Sequence, residues 1–319
     1  MGHPLGAARL RASVTTTSPT PLAEIPRGRP GANSQRLLAT LVADYRFTAG
    51  GCFPSTAIVR LLGEFGISES AARVALSRLA RRGLLVQERR GRQSFYSVNE
   101  ENLAGRDKRL RLYLDFGGDR EPWDGLWTVV VFSVSEDRRS LRPRLRTGLD
   151  RLKFAPMTDA VWVQARDHRD GVAALGAELD VRLAVMRATF HDLDHDAMDP
   201  VDAFDLVAAR ERYTQFLNSF EHLVHRAHAG DIAPAEALIV RTTVLAAWRD
   251  IALQDADLPH EVLPTDWPQP RARDVFTELW TTMGALGLIR MRELVAEFDP
   301  AAAAQLDYYR PAIASRSTH

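Results

Sequence analysis

From residue 34 onward apolar positions recur at helical spacing: Leu37, Leu38, Leu41, Val42 and Tyr45 share one face. Gly50 and Gly51 stop that pattern. Pro54, Ser55 and Thr56 open a second helix carrying Ile58, Val59, Leu61, Leu62 and Phe65, and Gly66 ends it. Ser68 stands where an N-cap belongs, and a third helix runs to about residue 82 before Gly83. Residues 84–86 (LLV) and 95–98 (FYSV) then flank Arg89, Arg90, Gly91 and Arg92, which reads as a β-hairpin around a glycine turn. Three helices and a basic hairpin predict a winged helix-turn-helix over residues 33–111.

The pattern changes after residue 111. Residues 126–134 (LWTVVVFSV) are nearly continuous in apolar side chains, as in a strand covered on both faces. A helix over 135–153 follows, with Pro143 at its start or at a kink. Residues 154–163 hold two short strands, 170–179 a short helix and 181–190 (VRLAVMRATF) a last strand. The order β-α-β-β-α-β predicts a ferredoxin-like domain over 112–190. An acidic linker spans 191–201. Helices are expected at about 202–228, 234–253 and 270–298, forming an all-helical domain over 202–299, with a four-proline connection at 258–270 and a tail over 300–319. Residues 1–32, rich in Ser, Thr, Pro and Gly, read as a disordered arm. The fold class expected is α+β and multidomain.

Charge sharpens this. The 319 residues carry 41 basic and 41 acidic side chains. The balance is uneven, because residues 33–111 sum to +7 and residues 191–319 to −10. A basic front is an electrostatic footprint for a polyanion. Cys52 is the one cysteine, so an intrachain disulfide or thiolate zinc cluster is excluded. With no run of ~18 apolar residues and no signal-peptide core near the start, the expected location is the cytoplasm.

The third helix carries the chemistry. With about 100° per residue, Ser70, Arg73, Ser77 and Arg81 share a face with Arg78 at its edge, while Ala72, Ala75, Leu76 and Leu79 occupy the far side. Arginine can donate two parallel hydrogen bonds to guanine O6 and N7, and serine hydroxyls can reach phosphates or base edges. Arg89, Arg90 and Arg92 at the wing tip suit phosphate or a narrow minor groove. The expected DNA-contacting set is Ser68, Ser70, Arg73, Ser77, Arg78, Arg81, Arg89, Arg90, Arg92 and Tyr96.

Residues 72–79 (ARVALSRL), Gly83 and residues 91–96 (GRQSFY) resemble the recognition helix and wing of the PaaX-type phenylacetate-degradation repressors. The resemblance continues at 123–127 (WDGLW), 212–220 (RYTQFLNSF), 241–249 (RTTVLAAWR) and 258–268 (LPHEVLPTDWP). It departs at Phe204, where a Trp is common, and at Gln269 and Pro270, where a Gly is usual. The resemblance implies a dimeric repressor released from DNA by an aryl-acyl-CoA, typically phenylacetyl-CoA, and the basic 33–111 segment with the third-helix face predicts binding to double-stranded DNA as a homodimer on an inverted repeat. Arg241 and Arg249, eight residues apart on one helix, with Arg212 before them, are candidate phosphate ligands for that effector. Trp248 and Tyr213 are candidates to stack on its rings.

Other chemistry is weaker. The central unit resembles the small CRISPR-associated nucleases, but Ser133 stands where their metal-binding Asp belongs, and Glu136 lies two or three residues late. There is no P-loop, dinucleotide-binding glycine pattern or Ser/His/Asp motif. His191, Asp192, Asp194, His195 and Asp196 read as linker, and His222, His225 and His228 as a polar helix face. No enzyme activity, metal or cofactor is expected.

Overall fold

The computed structural model describes residues 32–47, 51–118, 122–191 and 198–310. The arm expected at 1–32 lies outside them except for Ala32, as do the linker residues Asp192, Asp194, His195 and Asp196.

The first domain is a winged helix. Helix α1 (Ala32–Asp44) runs into a three-residue strand, β1 (Tyr45–Phe47), and β2 (Phe53–Pro54) leads into α2 (Ser55–Glu64) and α3 (Glu69–Arg81). The Ser68 hydroxyl caps α3 by accepting from the Ala71 N–H at 3.3 Å. Helix α3 buries Ala72, Ala75, Leu76 and Leu79, the four residues of the predicted apolar arc. The wing is β3 (Leu85–Arg90) and β4 (Gln93–Val98), longer than the apolar runs that announced it, turning at Gly91 with φ of 62°. Polar residues extend the strands because a ladder needs only backbone N–H and C=O groups. The sheet order is β2-β4-β3.

Helix α4 (Glu100–Asp115) crosses the boundary expected at residue 111 and leads to the ferredoxin-like domain. There β5 (Trp127–Val131), α5 (Arg142–Arg151), β6 (Ala155–Pro156), β7 (Val161–Gln164), α6 (Arg169–Leu179) and β8 (Ala184–Ala188) form an antiparallel sheet in the order β6-β7-β5-β8. The helix expected from residue 135 is instead a 3₁₀ turn (Glu136–Leu141) followed by α5. Pro143 sits in its first turn, where a missing N–H costs nothing. One sheet face packs Val130, Phe132 and Trp162 on α5 and α6. The other packs Trp127, Val129 and Val163 on Leu258 and Phe204, and the Phe204 ring stacks on Trp127 at 6.2 Å.

The remaining helices are α7 (Leu206–His228), α8 (Pro234–Gln254) and α9 (Gln269–Ala296). Residues 300–308, expected as tail, form α10 (Pro300–Ala304) and β9 (Leu306–Tyr308), and β9 pairs antiparallel with β1. The reason is apolar: Ala303, Leu306 and Tyr309 are buried. One continuous core joins Leu38, Leu41 and Leu62 of the winged helix to Leu238, Trp248 and Phe276 of the C-terminal helices. The winged helix is therefore built onto the helical body rather than tethered to it.

Candidate nucleic-acid interface

Helix α3 stands with its apolar face on the core and the opposite face in solvent. Ser68, Ser70, Arg73, Ser77, Arg78 and Arg81 are all exposed there, as are Arg89, Arg90 and Arg92 on the wing. Among the described residues no carboxylate pairs with Arg78, Arg81, Arg89 or Arg92, so those guanidiniums hold their hydrogen-bonding capacity for another molecule. Arg73 approaches Glu69 at 3.5 Å, an exposed contact of small energy. Ser68 is partly occupied, capping the helix and lying 3.2 Å from the Ser70 hydroxyl.

Arg90 behaves differently from its neighbours. Its Nε and Nη2 donate to the two Glu88 oxygens at 2.9 Å each, and its guanidinium lies 4.8 Å from the centre of the Phe95 ring. That bidentate pair holds the Glu88 carboxyl below the usual carboxylate range and raises Arg90 further. The wing arginine is thus oriented but half neutralised.

Tyr96 does not belong to the interface. It is 7 % exposed, pairs with Phe53 and Gln87 in the centre of the sheet, and joins the main core. Strand alternation decides this: Leu85 and Tyr96 share the face turned to the helices, whereas Phe95 lies under Arg90. Burial pushes the Tyr96 phenol up.

Two features escaped the sequence reading. Arg82, just past the helix end, is exposed, and among the described residues no carboxylate pairs with it. A cleft of about 300 Å³ runs from Ser70, Val74 and Arg78 to Ser34 and Gln35 at the start of α1. Only the folded arrangement brings α1 beside the recognition helix.

The five effector candidates do not meet in one site. Arg241 is 1 % exposed and serves the fold: its Nε and Nη2 donate to the Asp44 carboxylate at 2.6 and 2.7 Å. It also donates to the backbone carbonyls of Tyr309 and Trp280 and lies between the Trp280 and Tyr308 rings. Burial pushes the Asp44 carboxyl up against the pull of Arg241. Trp248 is fully buried, donating to the Tyr113 carbonyl at 3.0 Å and stacked on Phe276 at 5.0 Å. Tyr213 is fully buried and donates to Asp255 at 2.8 Å, and burial beside that carboxylate raises its phenol strongly. All three are core residues: Arg241 and Trp248 because α8 is apolar nearly all round, and Tyr213 because it stands on the buried face of α7. Arg212 is half-buried in a separate small cleft beside Trp267. Arg249 points toward α1, where its Nη1 donates to the Thr40 hydroxyl at 2.7 Å.

Ser133 lies beyond the end of β5, and Glu136 is paired with Arg139 and Arg142. Of the acidic linker group only His191 is described. Among the described residues no three His, Cys, Asp or Glu side chains are grouped to hold a metal ion, and no helix is long and apolar enough to cross a membrane.

Three family models match the chain in succession: PaaX-like protein at residues 33–102, the PaaX protein central Cas2-like domain at 120–199 and the PaaX-like protein C-terminal domain at 204–288. The Transcriptional repressor PaaX of Escherichia coli (strain K12) is 26 % identical over 270 residues, spanning 81 % of this chain and 82 % of that protein. Among solved structures, an uncharacterized protein from Mycobacterium tuberculosis is similar with a TM-score of 0.49 and 23 % identity, over 78 % of this chain and 94 % of that one.

Proposed function

Because the chain belongs to the PaaX family, we propose that it is a transcriptional repressor that grips duplex DNA with the Ser70–Arg73–Ser77–Arg81 face of α3 and the arginines of the wing. The observation that carries this is the recognition helix itself: capped, anchored by four buried residues and presenting to solvent Arg73, Arg78 and Arg81, the last two with no carboxylate partner among the described residues. The relative is described as a transcriptional repressor, which supports this reading. A homodimer would place two such helices on an inverted repeat with half-sites one helical turn, or a multiple, apart. The effector is an aryl-acyl-CoA, which ends repression by binding the DNA-incompetent form more tightly than the competent one.

Footprinting on genomic DNA supplies the operator, and anisotropy titrations on it give the test. Arg73→Ala is expected to cost about 1–3 kcal/mol on the operator and to relax base preference. Arg90→Ala is expected to weaken all sequences alike and to flatten the salt dependence. Equal proportional losses of specific and non-specific binding in both variants would overturn these roles.

A further inference from the structure

Between the winged helix and the helical body lies a cleft of about 300 Å³. Its walls come from four directions: Ala39 and Ala43 of α1, Leu79 of the recognition helix, Leu84 and Leu85 at the root of the wing, and Leu245 of α8. Arg109 of α4 and Arg249 of α8 stand in the same lining, with the Thr40 hydroxyl beside Arg249. An apolar hollow of this size with a few convergent polar groups has the make-up of a small-molecule site.

The charges say what fits. Arg109 is exposed and has no ion pair among the described residues. Arg249, whose side chain is 14 % exposed, approaches Asp250 at 3.2 Å, but Asp250 is shared with Arg36 at 3.4 Å. Of the two guanidiniums lining the hollow, one thus has a shared carboxylate and the other has none among the described residues, which leaves positive charge beside an apolar hollow in a chain whose C-terminal part is acidic. We infer that this cleft is a binding site for a small organic anion with an apolar body, an aryl or acyl group in the hollow and its anionic group on Arg249 and Arg109.

The position of the cleft ties such a ligand to DNA binding, a link that rests on the repressor reading above. Leu79 is adjacent in sequence to Arg78 and two residues from Arg81, and Leu84 and Leu85 root the strand that carries Arg89 and Arg90. Filling the hollow sets recognition helix and wing against α1 and α8 at one fixed angle. A ligand that prefers the angle unsuited to DNA lowers affinity for the operator.

The test uses the full chain in calorimetry with phenylacetate, phenylacetyl-CoA and CoA alone, and in operator anisotropy with and without each. Saturable binding of either aryl compound supports the site, and which one binds tells whether the charge is a free carboxylate or a distant phosphate. Ala43→Phe, and the milder Ala39→Leu should the first not fold, plug the hollow and are expected to remove binding. Arg249→Gln is expected to weaken it about tenfold or more, the loss of one charge-assisted hydrogen bond. Arg249→Gln is expected to hold operator as tightly as the unaltered chain when no ligand is present, whereas the plug variants, which fill the hollow themselves, are read by calorimetry alone. Binding undiminished by plug and Gln variants alike, CoA binding as tightly as its thioester, or no binding of either aryl compound would each overturn the site. Loss of DNA binding by the unaltered chain strikes the repressor reading instead, and calorimetry still decides the cleft.

Discussion

Glu88 holds the wing arginine Arg90 in place and at the same time cancels its charge. A phosphate that recruits Arg90 must compete with that carboxylate. Glu88→Gln keeps a hydrogen-bond acceptor but removes the charge. It is expected to tighten binding to any duplex and to steepen the salt dependence by about one phosphate contact. Anisotropy across a salt series checks this, and a slope unchanged from the parent would mean that Glu88 does not hold Arg90 back from phosphate. The other decisive arginine is Arg241, bound to Asp44 across 197 residues of sequence with both side chains 1 % exposed. Arg241→Met leaves a buried carboxylate unpaired and is expected to destabilise the fold by about 3–5 kcal/mol near neutral pH. Asp44, raised by burial, then rises further, so the penalty grows as pH climbs above the ordinary carboxylate range and shrinks as pH is lowered toward it. Melting curves across that range give the readout.

At the scale of the element, helix α9 is shaped by its glycines. A Cβ at Gly287 would strike the buried Tyr45 hydroxyl and come within 3.3 Å of the Leu238 backbone. Gly287→Ala is therefore expected to cost about 1–3 kcal/mol. Gly63 near the end of α2 meets nothing within 4 Å, and Gly63→Ala is expected to stabilise by up to about 1 kcal/mol through helix propensity. Opposite shifts in melting temperature check the pair. What could be read from the sequence follows from length and period. Helix α3 was legible down to its individual buried residues because a capped helix with one wet face repeats its signal over thirteen positions. The ferredoxin-like order was legible from turn residues and apolar runs. Strands β1 and β9 were not, since three residues carry no period. Tyr96 misled because β4 is the central strand, where neighbouring positions are buried on opposite faces. Arg241 misled for another reason: an arginine in an apolar helix looks the same in sequence whether its partner is a ligand or Asp44.

On the scale of the whole molecule, the winged helix and the C-terminal helices share one core, and β1–β9 pairing and the Arg241 contacts to Asp44 and Tyr309 close the seam between them. A chain cut after Ala304 loses β9, the buried side chains of Leu306 and Tyr309, and one acceptor for Arg241. It is expected to melt lower than the full chain and to lose operator affinity although every DNA-facing residue remains. Circular dichroism and anisotropy on the truncated chain check both, and unimpaired binding would separate the reading head from its seam. The same closure imposes an order on synthesis. The recognition helix (Glu69–Arg81) is synthesised long before β9 (Leu306–Tyr308), the strand that locks its domain in place. A nascent chain that has not yet reached β9 carries α3 and the wing without the pairing that holds them steady, and is expected to gain its proposed grip on DNA only once β9 is made.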